Sequence, residues 1–158
     1  MPKLMSPEIA AGLKSQLKNL FEEQIVFNKL MGLKLQALSA VEAHVSLAMR
    51  PELVGNFSEA RLHGGVISAA LDTTGGIAVT AALCARYPYE SFEQHAVRFA
   101  RLGTIDLRID YLRPGVSQHF EMRAEVIRLG SRIANTRMEF FDHDGKLLAT
   151  GNGVYIVS

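Results

Sequence analysis

GGVISAALDTTGGIAVTAAL, residues 64–83, is the stretch of this 158-residue sequence that decides the fold. It contains no Lys, Arg, Glu or His, and its apolar residues fall on nearly every side of a helix. A helix that is apolar all round has to be enclosed by other elements rather than laid on a surface. Asp72 lies near its middle, beside four glycines and several hydroxyl groups, and a charge there is costly in a bilayer. The stretch therefore predicts a buried helix of a soluble domain and no membrane span.

Strand patterns stand on both sides of this helix. Residues 33–38 and 41–49 precede it as a candidate hairpin, and the second of these runs alternates apolar and polar side chains. Four more runs follow it, at residues 105–111, 120–126, 133–141 and 147–157. Short turns between consecutive strands predict an antiparallel meander. The order of elements predicts an α+β domain in which a curved antiparallel sheet of about six strands wraps the one long apolar helix.

The N-terminal part has the pattern of an amphipathic helix. Ser6, Pro7 and Glu8 have the order of an N-cap, a first helical residue and an acid in the first turn. Apolar residues then recur at intervals of three and four as far as Ile25. We expect residues 1–27 to form a helix packed on a single domain of residues 28–158.

Two segments lack a sustained period. Residues 51–62 hold Pro, Gly, Asn and Ser and predict a loop. Residues 84–102 form a polar and aromatic excursion, for which we predict a loop followed by a short helix from about Ser91.

The composition narrows the classes of function. Seventeen Lys and Arg against sixteen Asp and Glu give a net charge of +1, without the basic excess of a nucleic-acid binder. Cys84 is the single cysteine, and no Cys/His cluster has the spacing of metal ligands. Lysines at 3, 14 and 18 interrupt the N-terminus, unlike the apolar core of a signal peptide. We expect a cytoplasmic protein with no metal, no organic cofactor and no nucleic-acid partner.

Gly64 and Gly65 open the predicted central helix. The first N–H groups of a helix have no partner inside it, so they can donate to an anion or to a developing oxyanion. Glycine also lets a ligand approach the backbone closely. We expect the Gly65 N–H to be an oxyanion-hole donor, and the alternative is a merely flexible helix start.

Asp72 is the only ionisable side chain between His63 and Cys84. A carboxylate in a buried helix is costly, so it is either hydrogen-bonded by neighbouring hydroxyls or used in a reaction. Thr73 and Thr74 are the adjacent candidates, and Thr104 lies at the head of the strand region that follows. The alternative is a structural aspartate that caps a loop.

The spacing of Gly65 and Asp72 bears on the oligomeric state. Seven residues along a helix correspond to about 10 Å at 1.5 Å per residue, so one carbonyl group can hardly touch both. Gly65 of one subunit can instead serve the same substrate as Asp72 of another. We therefore expect a homodimer with shared sites.

Three stretches together resemble the hotdog-fold acyl-CoA thioesterases: residues 63–76, HGGVISAALDTTGG; Asn56 upstream; and residues 103–114, GTIDLRIDYLRP. The likeness covers residues 28–157 and is greatest to the phenylacetate-pathway-type, PaaI-like branch and to its YigI-like medium/long-chain acyl-CoA thioesterases. In that family a bent antiparallel sheet wraps one long helix, dimers join their sheets edge to edge, and two dimers commonly pair. The resemblance implies a hotdog fold, a homodimer or dimer of dimers, and hydrolysis of medium- to long-chain fatty acyl-CoA to fatty acid and coenzyme A.

The resemblance also implies a role for individual residues. Asp72 would attack the thioester carbonyl or activate water, and the Gly65 N–H would bind the oxyanion. His63 would hold the loop and the side chain of Asn56, and Asn56 would position the thioester or the water. Thr104 would hydrogen-bond the carboxylate or its water. Apart from the resemblance, Gly64 and Thr73 are expected to contact the substrate. Arginines are candidates for the phosphates of coenzyme A, with a solvated side chain at a strand end as the alternative: Arg101, Arg113, Arg128 and Arg132.

The sequence departs from the family pattern in two places, and three alternative functions or residue roles are open. Asn56 stands seven residues before His63 where other branches often have six, and the segment 84–102 is longer than in the smaller members. His63 could act as the general base itself, since an imidazole titrates near neutrality. A non-catalytic acyl-CoA-binding module would use the same pocket, and a 3-hydroxyacyl thioester dehydratase would pair His63 with Asp72.

Overall fold

The computed structural model describes residues 7–158, and its N-terminal part is helical. Helix α1 spans Pro7–Asn19, a π-helical turn spans Leu20–Gln24, and helix α2 spans Val26–Met31. The predicted N-cap residue Ser6 lies outside the described residues.

Side chains of this helical part reach the core. Leu17 and Phe21 are almost completely buried, and Lys18 and Lys34 both pair with the carboxylate of Glu22. The N-terminal helices are thereby held against the rest of the chain. The division into residues 1–27 and 28–158 stays a prediction.

The described residues form eight strands. They are β1 Lys34–Leu38, β2 Glu42–Ala48, β3 Val54–Asn56, β4 Arg61–Leu62, β5 Gly103–Tyr111, β6 His119–Leu129, β7 Ile133–Asp142 and β8 Leu147–Ile156. Six of them form one antiparallel sheet in the order β1-β2-β6-β7-β8-β5, while β3 and β4 form a small ribbon in the segment predicted as a loop. The predicted α+β hotdog architecture with six strands is confirmed.

The prediction of a four-strand meander was wrong for its first strand. Of these four strands, β6, β7 and β8 are neighbours in chain order, whereas β5 pairs with β8 and forms an edge of the sheet. Alternation along a strand shows which face is buried but carries no information about the neighbouring strand. The connection 112–118 takes the chain from that edge to β6, which lies between β2 and β7.

Helix α3, Gly64–Arg86, is the central helix, and it contacts β2, β5, β6, β7 and β8. Of the described helices it alone is long and apolar enough to cross a membrane, and 67% of its most apolar window is buried within the protein, as in the core helix of a soluble protein. Helix α4 spans Phe92–Phe99, and Ser91 and Gln94 form a capping box at its start, which confirms the helix predicted from about Ser91.

Candidate active site

Asp72 lines a large cavity in the described part of the chain. The cavity has a volume of about 730 Å³ and is lined by residues of α3, α4, the helical turns around Phe21 and Asn28, and the start of β5. Asp72 is half-buried, and Thr104 Oγ1 donates a 2.8 Å hydrogen bond to its Oδ1. A half-buried carboxylate with one oxygen held and a cavity beside it is placed to meet a ligand.

Tyr155 fixes the backbone at this carboxylate. It is the register partner of Thr104 across β5 and β8, and its hydroxyl donates a 2.8 Å hydrogen bond to the carbonyl oxygen of Asp72. Burial raises the pKa of the Tyr155 phenol, and the nearby Asp72 carboxylate raises it further, so the group stays a hydrogen-bond donor. Two adjacent positions of the sheet therefore hold the side chain and the main chain of Asp72.

The ring of Tyr155 reaches α3 through a slot between two glycines. A Cβ at Gly75 would lie 2.2 Å from the Tyr155 hydroxyl oxygen, and a Cβ at Gly153 would lie 2.8 Å from its ring. Any side chain at either position would displace the ring. Sequence reasoning missed Tyr155; the signal available was the glycine two residues before a polar aromatic in a buried strand.

Asn28 is a second polar residue of the cavity that sequence reasoning missed. It is buried, its Nδ2 donates to the Phe21 carbonyl oxygen at 3.0 Å, and its Oδ1 accepts from Thr73 Oγ1 at 2.9 Å. The predicted substrate-binding residue Thr73 thus faces the cavity with its hydroxyl already bound. An isolated asparagine in an amphipathic helix gives no signal of this role.

His63, Gly64 and Gly65 lie at the N-terminal end of α3. His63 is the N-cap residue, and its Nδ1 accepts a 2.8 Å hydrogen bond from the Gly65 N–H. The predicted oxyanion donor is therefore occupied by the imidazole in this chain. The Gly64 carbonyl oxygen accepts a 2.9 Å hydrogen bond from the Tyr111 hydroxyl.

The loop before His63 is shaped by close backbone contact. A Cβ at Gly55 would lie 2.7 Å from the Cα of His63, so only glycine fits there without displacement. The side chain of Asn56 accepts hydrogen bonds from the backbone N–H and the hydroxyl of Ser58, at 3.1 and 2.7 Å. Asn56 thus caps its own turn, and the hydrogen bonds of its side chain among the described residues are to Ser58 and not to His63.

The predicted arginines are dispersed. Arg113 lines a smaller cavity of about 310 Å³ beside Gly64 and Tyr111, and it donates to the Leu147 carbonyl oxygen at 2.8 Å. Arg128 and Arg132 are exposed near the turn between β6 and β7, and neither lines the Asp72 cavity or the Gly64 cavity.

Within one chain the expected site is divided in two. Asp72, Thr73 and Thr104 line the large cavity, whereas Asn56, His63 and Gly65 do not. Among the described residues, no group of three His, Cys, Asp or Glu side chains could hold a metal ion. The available chemistry is that of a held carboxylate, hydroxyl groups and a helix N-terminus.

Comparison with known proteins gives one consistent result. Residues 60–149 match the family model of the thioesterase superfamily. The chain is 34% identical to the medium/long-chain acyl-CoA thioesterase YigI of Salmonella typhimurium and 33% identical to YigI of Escherichia coli K12, each over 99% of both chains.

Solved structures agree with the sequence comparison. A thioesterase-superfamily-related protein from Shewanella oneidensis superposes with a TM-score of 0.88 at 38% identity, over 96% of this chain and 99% of that one. A mutant of the phenylacetic acid degradation protein PaaI from Thermus thermophilus superposes with a TM-score of 0.66 at 26% identity, over 84% and 99% of the two chains.

Proposed function

The chain belongs to the thioesterase superfamily, and from this premise we propose that it hydrolyses medium- to long-chain fatty acyl-CoA to free fatty acid and coenzyme A. The observation that carries the proposal is Asp72, held by Thr104 in the wall of a large, mostly apolar cavity. The names of the full-length YigI relatives support the chain-length class.

In the proposed reaction Asp72 either attacks the thioester carbonyl or takes a proton from the water that attacks it. If Asp72 attacks, the C–S bond breaks to leave an acyl anhydride with Asp72, which water then hydrolyses to the fatty acid and the free carboxylate. If water attacks, it adds to the carbonyl carbon directly and the C–S bond breaks. In both routes one water is consumed, and it supplies the hydroxyl of the acid and the proton of the coenzyme A thiol. The hydrogen bond from Thr104 occupies one carboxylate oxygen, so the other is free to act. Negative charge develops on the thioester oxygen and needs an N–H donor aimed at it.

We assign that donor to Gly65 of the partner subunit in a homodimer. Among the described residues, strand β5 pairs with β8 on one side and has no strand on its other side, where Ile105 is exposed. Antiparallel pairing of two β5 edges about their centre would place Gly103 of one subunit, which precedes Thr104, opposite Tyr111 of the other. Because Tyr111 is bonded to Gly64, this pairing would carry the partner's helix start to Asp72.

Substrate binding has to free the Gly65 N–H. In the chain alone that N–H is bound to His63, whose side chain is exposed. In the proposed complex the thioester oxygen takes the place of Nδ1, and His63 turns aside. Asn56, on the same loop, would contact the thioester or the water, and Arg113, beside Gly64, would face the coenzyme A phosphates.

The proposal is tested by thiol release from a panel of acyl-CoA substrates. Burial raises the pKa of Cys84 to about 12, so its thiol does not compete for the thiol reagent and the signal reports coenzyme A. We expect release from medium- and long-chain substrates. Binding without thiol release would favour the acyl-CoA-binding module, and loss of enoyl absorbance on an enoyl thioester would favour the hydratase or dehydratase alternative.

Tyr155→Phe tests the support of Asp72. Loss of the hydroxyl removes one buried hydrogen bond, and we expect the free energy of unfolding to fall by about 1 kcal/mol. Because Asp72 is then less firmly held, kcat should fall by about tenfold with KM little changed. Thermal unfolding and steady-state kinetics measure the two effects. Tyr89→Phe, at an exposed tyrosine, is the matched control. An unchanged kcat in Tyr155→Phe would show that Tyr155 has only a structural role.

A further inference from the structure

Gly76 is a helix glycine for which the fold gives no packing reason. A Cβ built on it has Leu102 as its nearest neighbour, at 3.7 Å, which is ordinary van der Waals contact. The adjacent Gly75 is different, because a Cβ there would collide with the Tyr155 hydroxyl at 2.2 Å. Alanine stabilises a helix interior better than glycine, so the absence of a side chain at Gly76 needs a cause outside the fold.

The space beside Gly76 belongs to the large cavity. The cavity wall follows one face of α3 through Asp72, Gly76 and Thr80. Gly76 is one helical turn beyond Asp72, and Thr80 is two turns beyond it, about 12 Å along the axis. A chain attached to a carbonyl at Asp72 and extending into the cavity would pass over Gly76.

The wall is suited to a hydrocarbon. Apart from Asp72, polar side chains of the wall are bound within the protein: Thr73 to Asn28, Asn28 to the Phe21 carbonyl oxygen, and Thr80 to the Gly76 carbonyl oxygen. Apolar groups that include Phe92 and Phe99 of α4 also line the cavity. A cavity of about 730 Å³ whose polar groups beyond the reacting carboxylate are bound in this way favours an apolar ligand over a hydroxylated one.

We propose that Gly76 is a specificity-determining residue. Without a side chain it leaves the cavity open beside α3, so that acyl chains can extend from Asp72 past the next helical turn. The inference rests on the proposed function, since it takes an acyl-CoA as the ligand. Side chains at position 76 shorten the usable cavity and shift the preference toward shorter acyl groups. The walls beyond Gly76, from α4 and from the helical turn at Phe21, hold the distal part of the chain.

Gly76→Ala and Gly76→Leu test this assignment. Both residues form helices more readily than glycine, and the Ala variant should have a Tm equal to or above that of the wild type. We expect the ratio of kcat/KM for palmitoyl-CoA to kcat/KM for hexanoyl-CoA to fall at least tenfold in Gly76→Leu and by less in Gly76→Ala. Gly12→Leu is the matched control, because Gly12 lies in α1 and a Cβ built on it meets no described atom outside the nearby helix backbone within 4 Å.

Binding of the non-hydrolysable thioethers S-hexadecyl-CoA and S-hexyl-CoA separates this inference from the proposed function. The ratio of their affinities should fall in both Gly76 variants and not in Gly12→Leu. If the wild type binds these thioethers with a chain-length preference but releases no thiol from acyl-CoA, the proposed function fails and the role of Gly76 is still decided by the ratio. An unchanged ratio in folded Gly76→Ala and Gly76→Leu, or an equal loss for both chain lengths, would overturn the inference. If Gly76→Leu does not fold, Gly76→Ala and its thioether ratio give the answer.

Discussion

Asp72→Asn is expected to lower kcat for acyl-CoA hydrolysis by about 10³-fold, because an amide is neither a nucleophile nor a base at neutral pH. The fold should persist, since the asparagine oxygen can still accept the hydrogen bond from Thr104 and the main-chain bond from Tyr155 is untouched. Thiol release under saturating substrate measures the loss. Thermal unfolding and sedimentation confirm that the variant is folded and has the oligomeric state of the wild type.

Asp144→Asn is the matched control for this substitution. Asp144 is exposed in the tight turn between β7 and β8, and it does not line the Asp72 cavity. We expect its kcat to stay close to that of the wild type. An Asp72→Asn protein with near wild-type turnover would remove Asp72 from the reaction and leave Thr104 and the cavity without a catalytic group.

Gly65→Pro is expected to lower kcat by about 10²–10³-fold relative to Gly65→Ala, the range found when one oxyanion donor is removed. Both variants add a Cβ, which would lie 2.9 Å from His63 Nδ1 and push the exposed imidazole aside. Only proline also removes the N–H, and the first turn of a helix tolerates it. The comparison of the two variants therefore isolates the hydrogen bond from the added bulk.

Equal activity in the alanine and proline variants would show that the Gly65 N–H does not stabilise the transition state. The cap formed with His63 would then be its whole role. Far-UV circular dichroism of both variants checks that α3 still forms. The comparison should use kcat, because an oxyanion contact is made in the transition state more than in the bound substrate.

The elements of the fold could be predicted from the sequence because their patterns are local. The apolar stretch at residues 64–83 predicts a helix that must be enclosed, and the structure has that helix at Gly64–Arg86 inside a curved sheet. Its last three residues, Ala85 among them, extend the helix past the apolar stretch without a breaker. The position of β5 at the sheet edge could not be predicted, because strand pairing depends on partners distant in sequence.

The candidate site was only partly predictable, for the same reason. Burial cost identified Asp72 from the sequence alone, and the family resemblance supplied Thr104, whose hydroxyl does bond to the carboxylate. Tyr155 and Asn28 reach the cavity from opposite ends of the chain, so no short motif contains them. The π-helical turn that frees the Phe21 carbonyl oxygen for Asn28 has no sequence pattern of its own.

The hydrogen bond between the Gly65 N–H and His63 could not be predicted from the sequence either. Spacing showed that Gly65 and Asp72 are too far apart on one helix to meet one carbonyl, and in the structure Asp72 lines the large cavity whereas Gly65 does not. Whether an N–H at a helix start is free depends on the rotamer of the residue before it. The His63 side chain can occupy that N–H because it lies next to the helix and is exposed.

Mixing of two inactive variants tests most directly whether each site is built from two subunits. Asp72→Asn and Gly65→Pro subunits are unfolded together and refolded, so that random pairing gives half mixed dimers, each with one site in which both residues are native. The account predicts that thiol release returns to about one quarter of the wild-type rate per subunit, for sites that act independently. Activity that stays at the level of the two parents, in a preparation shown by mass to contain mixed dimers, would contradict it.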